Sequence, residues 1–350
     1  MKILVLGGGA QGRVIARDLA GSLRDAHVTV ADLTAPSLPA LPNLATVEAD
    51  LSDRAATARL LRDYDLGVGA LPSRLGFGAM QAAIEAGRSL VDVSFCAENP
   101  LPLDDAARAA GITIAPDCGL APGLSHLLVG HYAATEGTPD EVLIMVGGVA
   151  EDASRPYGYV VTWSLDDLLE EYVRPARLVR DGAPAEVPAF SGLEHVTIAG
   201  VGEMEAFYSD GLRTLIETLP GVREMGEKTL RWPGHADAVR PLVESGNLLV
   251  ELRRRCVANP PRDLVVLEVR LGWGDRRRAV SMVDRYDPAT GLTAMARTTA
   301  FTTSVVAQLA ARGGLREKGV QPLERVARDE KAYEFLGGEL ESRGVRITAV

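Results

Sequence analysis

The sequence predicts an α/β protein: a doubly wound parallel sheet followed by a second, α+β domain. Three observations carry that reading. Apolar runs alternate with amphipathic stretches over roughly the first 120 residues. A glycine-rich turn joins the first run to the first amphipathic stretch. After Pro122 the texture changes to irregular segments rich in Tyr, Trp, Gly and Pro, and then to strand-like runs.

The apolar runs lie at 2–6, 28–31, 45–47, 66–70, 90–93 and 112–115, with amphipathic stretches at 12–23, 53–64, 78–86 and 104–109. Strands that alternate with helices pair in parallel through right-handed crossovers. The runs lack polar alternation, as expected of a sheet covered by helices on both faces. Beyond Pro122 a helix over 124–134 leads into a run at 141–147, and strands are expected at 195–198, 203–208, 264–271 and 280–286. The last connects to a run at 292–296 through the turn sequence Asp287-Pro288-Ala289-Thr290-Gly291. A helix over 298–311 stops at Gly313-Gly314.

Gly7-Gly8-Gly9-Ala10-Gln11-Gly12 fits G-x-G-x-x-G, and it follows a strand and opens a helix. In that context Gly7 permits the tight turn, Gly9 admits a pyrophosphate and Gly12 allows close packing of helix and strand. The helix N-terminus presents free N–H groups and a positive dipole end to phosphates. Asp32 ends the second strand, twenty residues beyond Gly12, where a carboxylate receives the ribose hydroxyls of NAD. It would repel the extra phosphate of NADP, and no Arg follows it. A Rossmann domain binding NAD is therefore expected. Ligands bind at the carboxyl ends of such strands. This adds Leu33 beside Asp32, Asp50 and Leu51 after the third strand, Ala70, Leu71 and Pro72 after the fourth, and Ser94 and Phe95 after the fifth.

The net charge of -10 excludes a phosphate-backbone partner, and Arg276-Arg277-Arg278 reads as a solvated strand end. No apolar run approaches the ~20 residues that span a bilayer, and no targeting segment is visible, so no membrane and a cytoplasmic location are expected. The three cysteines, Cys96, Cys118 and Cys256, fit a reducing compartment. Cys118 reads as a small buried thiol. His126 and His131 stand five apart rather than the four of paired zinc ligands on one helix face, so no metal is expected.

Asp117-Cys118-Gly119-Leu120-Ala121-Pro122-Gly123-Leu124-Ser125 resembles the saccharopine dehydrogenase family. The likeness continues through Tyr157-Gly158-Tyr159, Thr162-Trp163-Ser164, Tyr172-Val173-Arg174-Pro175-Ala176-Arg177 and Arg180-Asp181-Gly182. It also covers Glu205-Ala206-Phe207-Tyr208-Ser209-Asp210-Gly211-Leu212-Arg213-Thr214 and Lys228-Thr229-Leu230-Arg231-Trp232-Pro233-Gly234-His235. The lysine 6-dehydrogenase branch is the most similar. The resemblance implies that the second domain interrupts the first and that the C-terminal helix returns to it, dividing the chain into 1–122 with 297–350 and 123–296. It also implies a homo-oligomer, a dimer or higher. The activity implied is NAD-dependent oxidation of the ε-amine of L-lysine to ammonium and an aldehyde that cyclises. Saccharopine-forming relatives typically carry Asp where Ala121 and Ser125 stand, so this sequence departs from their pattern. The alternatives are a saccharopine- or carboxynorspermidine-type reductive coupling enzyme and a non-catalytic NAD-binding sensor.

An amino-acid substrate needs a cation for its carboxylate. Arg213 is the candidate by resemblance, the competing reading being a surface arginine on a helix over 212–218. Thr214 and Thr229 add hydroxyl donors, and Trp163 is an apolar wall or plain core. Asp117 and Asp210 are candidates for a distal ammonium, or for caps. An ammonium must lose a proton before its carbon gives up hydride. Lys228 and His235 are the candidate bases.

Overall fold

The computed structural model describes all 350 residues. The chain runs β1 (Lys2–Leu6), α1 (Ala10–Ser22), β2 (His27–Asp32), β3 (Leu44–Glu48), α2 (Arg54–Leu61), β4 (Leu66–Gly69), α3 (Ser73–Ala86), β5 (Ser89–Asp92), α4 (Asp104–Ala109), β6 (Thr113–Ala115) and α5 (Leu124–Glu136). It continues through β7 (Glu141–Ala150), α6 (Leu165–Val173), β8 (Ala176–Arg180), β9 (Ala183–Val187), β10 (Glu194–Ile198), β11 (Gly202–Tyr208), α7 (Leu215–Thr218) and β12 (Glu224–Arg231). Then come α8 (His235–Glu244), α9 (Leu248–Arg255), β13 (Asp263–Trp273), β14 (Arg276–Arg285), α10 (Ala294–Ala311), β15 (Gly319–Val320), α11 (Leu323–Val326), α12 (Glu330–Ser342) and β16 (Thr348–Ala349). No helix is long and apolar enough to cross a membrane.

Two compact units form, Met1–His131 with Thr299–Arg343, and Tyr132–Thr298 with Gly344–Val350. The first holds a seven-stranded parallel sheet in the order β15-β6-β5-β4-β1-β2-β3. The strand order reverses between β1 and β4, which opens a crevice at their carboxyl ends. Leu4 and Leu6 are fully buried and share a core with Leu61, Met80, Leu90 and Ile114. The segment Thr299–Arg343 belongs to this unit: Thr303 Oγ1 donates to Cys118 O (2.9 Å) and Ser304 Oγ to Asp18 Oδ2 (2.6 Å). Arg343 Nε completes that knot on Asp18 at 2.9 and 3.0 Å. A seventh strand, β15, extends the sheet beyond the six expected ones.

The second unit is built on a mixed sheet in the order β10-β11-β12-β7-β13-β14-β16, with the β8–β9 hairpin set against β12. Because paired strand residues share a face, the register sorts its core. Met145, Ala206, Leu230 and Val266 lie in one apolar cluster. Phe207, opposite Thr229, packs with Tyr159, Leu168 and Tyr172 against α6, α8 and α9.

Two sequence expectations change here. The run at 292–296 is not a strand: α10 starts at Ala294, because the carboxylate of Asp263 accepts from Ala294 N (2.7 Å) and Met295 N (2.9 Å) and caps it. The tail 344–350 belongs to the second unit, not the first, because β16 pairs with β14.

Candidate functional site

The turn after β1 forms a backbone cradle. Gly7 has φ +101°, where a side chain is strained, and a Cβ there would lie 2.5 Å from Ala70 O. A Cβ at Gly12 would collide with Gly7 O, so the helix rides close against the turn. Around Gly9 nothing lies within 4 Å of that position, and Gly9 and Ala10 are exposed at the start of α1. This open ground at a helix N-terminus fits a pyrophosphate. Gln11 Oε1 beside it is buried without a hydrogen-bond partner. Asp32 Oδ2 accepts from Gly8 N at 2.6 Å and Oδ1 from Leu33 N at 2.7 Å, which fixes the carboxylate at the rim. Arg13 Nε donates to Gly8 O from the other side (2.7 Å). Leu33 is 68% exposed.

The other strand ends of this unit carry the remaining candidates. Ala70, Leu71 and Pro72 follow β4, with Ala70 N on Leu6 O at 2.8 Å. Ser94, buried after β5, gives its amide to Asp92 Oδ1 (2.7 Å), and Phe95 beside it is half-buried. Asp117, after β6, is buried in a left-handed turn with φ 55°. Asp50 instead folds onto Ser52, whose hydroxyl holds its carboxyl below the usual range, and Leu51 is core. The sequence reading passed over Asp92. Burial pushes its carboxyl up to about 7, and its Oδ2 has no partner.

In the second unit β12 carries a polar row on one face: Glu227, Thr229 and Arg231, each at most 4% exposed. Glu171 of α6 meets it, accepting from Thr229 Oγ1 (2.7 Å) and from Arg231 (2.9 Å). Thr229 Oγ1 also reaches Ser209 Oγ at 2.9 Å. Arg231 Nε donates to the Tyr172 hydroxyl (2.9 Å), which lies 2.9 Å from His235 Nε2. His235 Nδ1 lies 2.7 Å from Tyr157 O, so it carries the proton, and Nε2 accepts from Tyr172. Glu205 Oε2 and Oε1 accept from Gly234 N (2.8 Å) and Ala236 N (2.5 Å), capping α8.

This geometry corrects both candidate bases. Burial, then the charge of Arg231, lowers the His235 imidazole to about 3, and both its nitrogens are engaged. It is a neutral strut. Lys228 points to the opposite face of β12, where its ammonium donates to Gly192 O (2.8 Å) and Glu194 (2.6 Å) over the Tyr208 ring. Those partners occupy the side chain on the face away from Thr229 and Arg231. Asp210 is likewise occupied, by Arg177 at 2.8 and 3.0 Å, rather than open to an ammonium. Trp163 is half-buried and donates to the Tyr159 hydroxyl (3.1 Å). Arg213 is not on a helix: it precedes α7 in a left-handed turn with φ 48° and is 5% exposed. Thr214 beside it is buried, its carbonyl accepting from Thr218.

Glu171 and Glu227 were missed. The first hides in an acidic helix that reads as a solvated face. The second left a signal, the period of two linking Glu227, Thr229 and Arg231.

Two family models cover nearly the whole chain. The saccharopine dehydrogenase NADP binding domain matches residues 3–115, and the saccharopine dehydrogenase C-terminal domain matches 119–345. The chain belongs to the saccharopine dehydrogenase family. One member, saccharopine dehydrogenase [NADP(+), L-glutamate-forming] of Schizosaccharomyces pombe, is 25% identical over 240 residues, 64% of this chain and 53% of its own. The Saccharomyces cerevisiae protein of the same name is 26% identical over 260 residues, 70% of this chain and 58% of its own. The matches thus span little more than half of these relatives. The solved apo saccharopine dehydrogenase (L-Glu forming) of Saccharomyces cerevisiae shares the fold, with a TM-score of 0.75 at 18% identity, over 100% of this chain and 99% of that one. As in the family, the first unit is a nucleotide-binding domain.

Proposed function

We propose that this chain is an NAD-dependent amino-acid dehydrogenase that oxidises the ε-amine of L-lysine. The observation that carries the cofactor half is Asp32, fixed by Gly8 and Leu33 at the rim of the glycine cradle with an exposed leucine, not an arginine, after it. A carboxylate there accepts ribose hydroxyls and repels a 2′-phosphate. This sets the chain apart from relatives named for NADP(+).

Arg213 supports the substrate half. A buried guanidinium in a left-handed, non-glycine turn is held at some conformational cost, and such cost is characteristic of ligand clamps. Its fork fits a carboxylate. Ser125 is fully buried with its hydroxyl unpartnered, and Ala121 is neutral, which supports lysine oxidation over saccharopine formation. When bound, NAD accepts the hydride, and overall lysine, NAD⁺ and water give the aldehyde, NADH, ammonium and a proton. The aldehyde then closes on the α-amine as 1-piperideine-6-carboxylate. Of this chain's own residues, Arg213 holds the carboxylate in this reading.

A second reading, reductive coupling of an amino acid to an aldehyde, draws support from the relatives' names. Lysine labelled with 15N at the ε-position separates the two. Labelled ammonium should appear in step with NADH, more rapidly toward alkaline pH, because free lysine sheds its proton near ~10.4. Turnover seen only when glutamate, the aldehyde and NAD(P)H are supplied together would overturn the proposal.

A further inference from the structure

We propose that Glu227, together with Glu171, receives the cationic amine of a substrate that carries an ammonium remote from its carboxylate. The inference rests on the amino-acid reading above and assigns the other end of the same ligand.

Three acids meet at this place: Glu171 from α6, Asp210 from the loop after β11, and Glu227 from β12. Two of them have cations. Arg231 pairs with Glu171 at 2.9 Å, and Arg177 with Asp210 at 2.8 Å, with Arg174 farther off at 3.7 Å. Glu227 has none. Its neighbour Lys228 points to the opposite face of the strand, toward Glu194. Glu227 is 4% exposed, and its Oε2 has no hydrogen-bond partner. A buried polar atom without a partner costs free energy unless something supplies one. The carboxyl lies on the backbone of Gly211, where any Cβ would overlap it, so the loop leading to Arg213 makes room for this acid. Glu171 is the accessible member of the group, its side chain 19% exposed. One acid thus opens to solvent and another waits unpaired behind it.

Burial raises Glu227 well above the ordinary carboxyl range, and the charges of Glu171 and Asp210 raise it further. Burial and the two neighbouring acids thus favour the protonated form of Glu227 before a cation arrives. An ammonium arriving beside it brings a second proton. Carboxylate with ammonium, or carboxylic acid with neutral amine, accounts for only one of the two. Binding then releases one proton to the buffer, and the second arrangement is the neutral amine that hydride loss requires.

The test is calorimetric titration of the full chain with NADH present, using lysine and then 2-aminohexanoate, near pH 7 in buffers of different ionisation enthalpy. Lysine should release close to one proton per site, and 2-aminohexanoate none. Glu227→Gln should abolish the release and lower lysine affinity at least tenfold, toward that of 2-aminohexanoate. The wild-type proton count needs no variant to fold. Lysine bound without proton release, or a Glu227→Gln protein that keeps the wild-type preference for lysine, would overturn the assignment and leave the functional reading intact. Failure of the wild type to bind either amino acid would remove both.

Discussion

The hydroxyl of Tyr172 donates to Nε2 of His235 across 2.9 Å, deep in the second unit, while its oxygen accepts from Arg231. Burial pushes this phenol up to about 12 and holds the imidazole near 3, so neither titrates in the physiological range. In the unfolded chain the same histidine takes a proton near ~6.5. As pH falls from there toward 3, the unfolded state binds a proton the native state refuses, and stability is lost. Nitrogen-detected NMR should find His235 neutral, protonated on Nδ1, down to about pH 4. His235→Asn should flatten the decline of melting temperature between pH 6.5 and 4. A histidine titrating near neutrality at this position would contradict the assignment.

Glu205→Ala strips two amides at the start of α8 of their acceptor. The expected cost is about 1–3 kcal/mol, because the Ala236 amide is left buried and unpaired. Urea unfolding should show a lower midpoint with an unchanged slope.

Asp32→Ser should weaken NAD binding and narrow the gap to NADP, since Arg13 remains at the same rim. Calorimetry with both cofactors measures this. Wild-type protein that binds NADP more tightly than NAD would refute the cofactor reading.

Arg213→Ala should raise the KM for the amino acid about 30-fold or more, the consequence of losing about 2–5 kcal/mol from a desolvated ion pair. Cofactor affinity should stay near wild type. Arg213→Gly suits the left-handed turn better and should show the same KM with better stability. Loss of NAD affinity in place of substrate affinity would rule out the anchoring role.

The parallel sheet was legible because its strands are short apolar runs and the glycine turn names its own context. The polar strand β12 was not: Glu-Met-Gly-Glu-Lys-Thr-Leu-Arg has no hydrophobic signature, yet all but its first residue is buried. Its burial depends on partners far along the chain, such as Glu171, fifty-eight residues before Thr229. The same distance effect misled the reading of His235 and Lys228, whose residue types suit proton transfer but whose hydrogen bonds leave them none to perform. Asp263 shows it again, since the cap that starts α10 comes from a strand thirty-one residues earlier.

The knot on Asp18, tied by Ser304 and Arg343, has a consequence for biosynthesis. The ribosome delivers the N-terminal sheet first, yet the side chains that lock α1 arrive about three hundred residues later. The second unit lacks only its last seven residues, 344–350, when its long segment emerges at Thr298. During synthesis the interrupted nucleotide-binding unit is therefore finished after most of the unit inserted into it. For that interval its helices and strands are exposed to chaperones and proteases without their closing clasp.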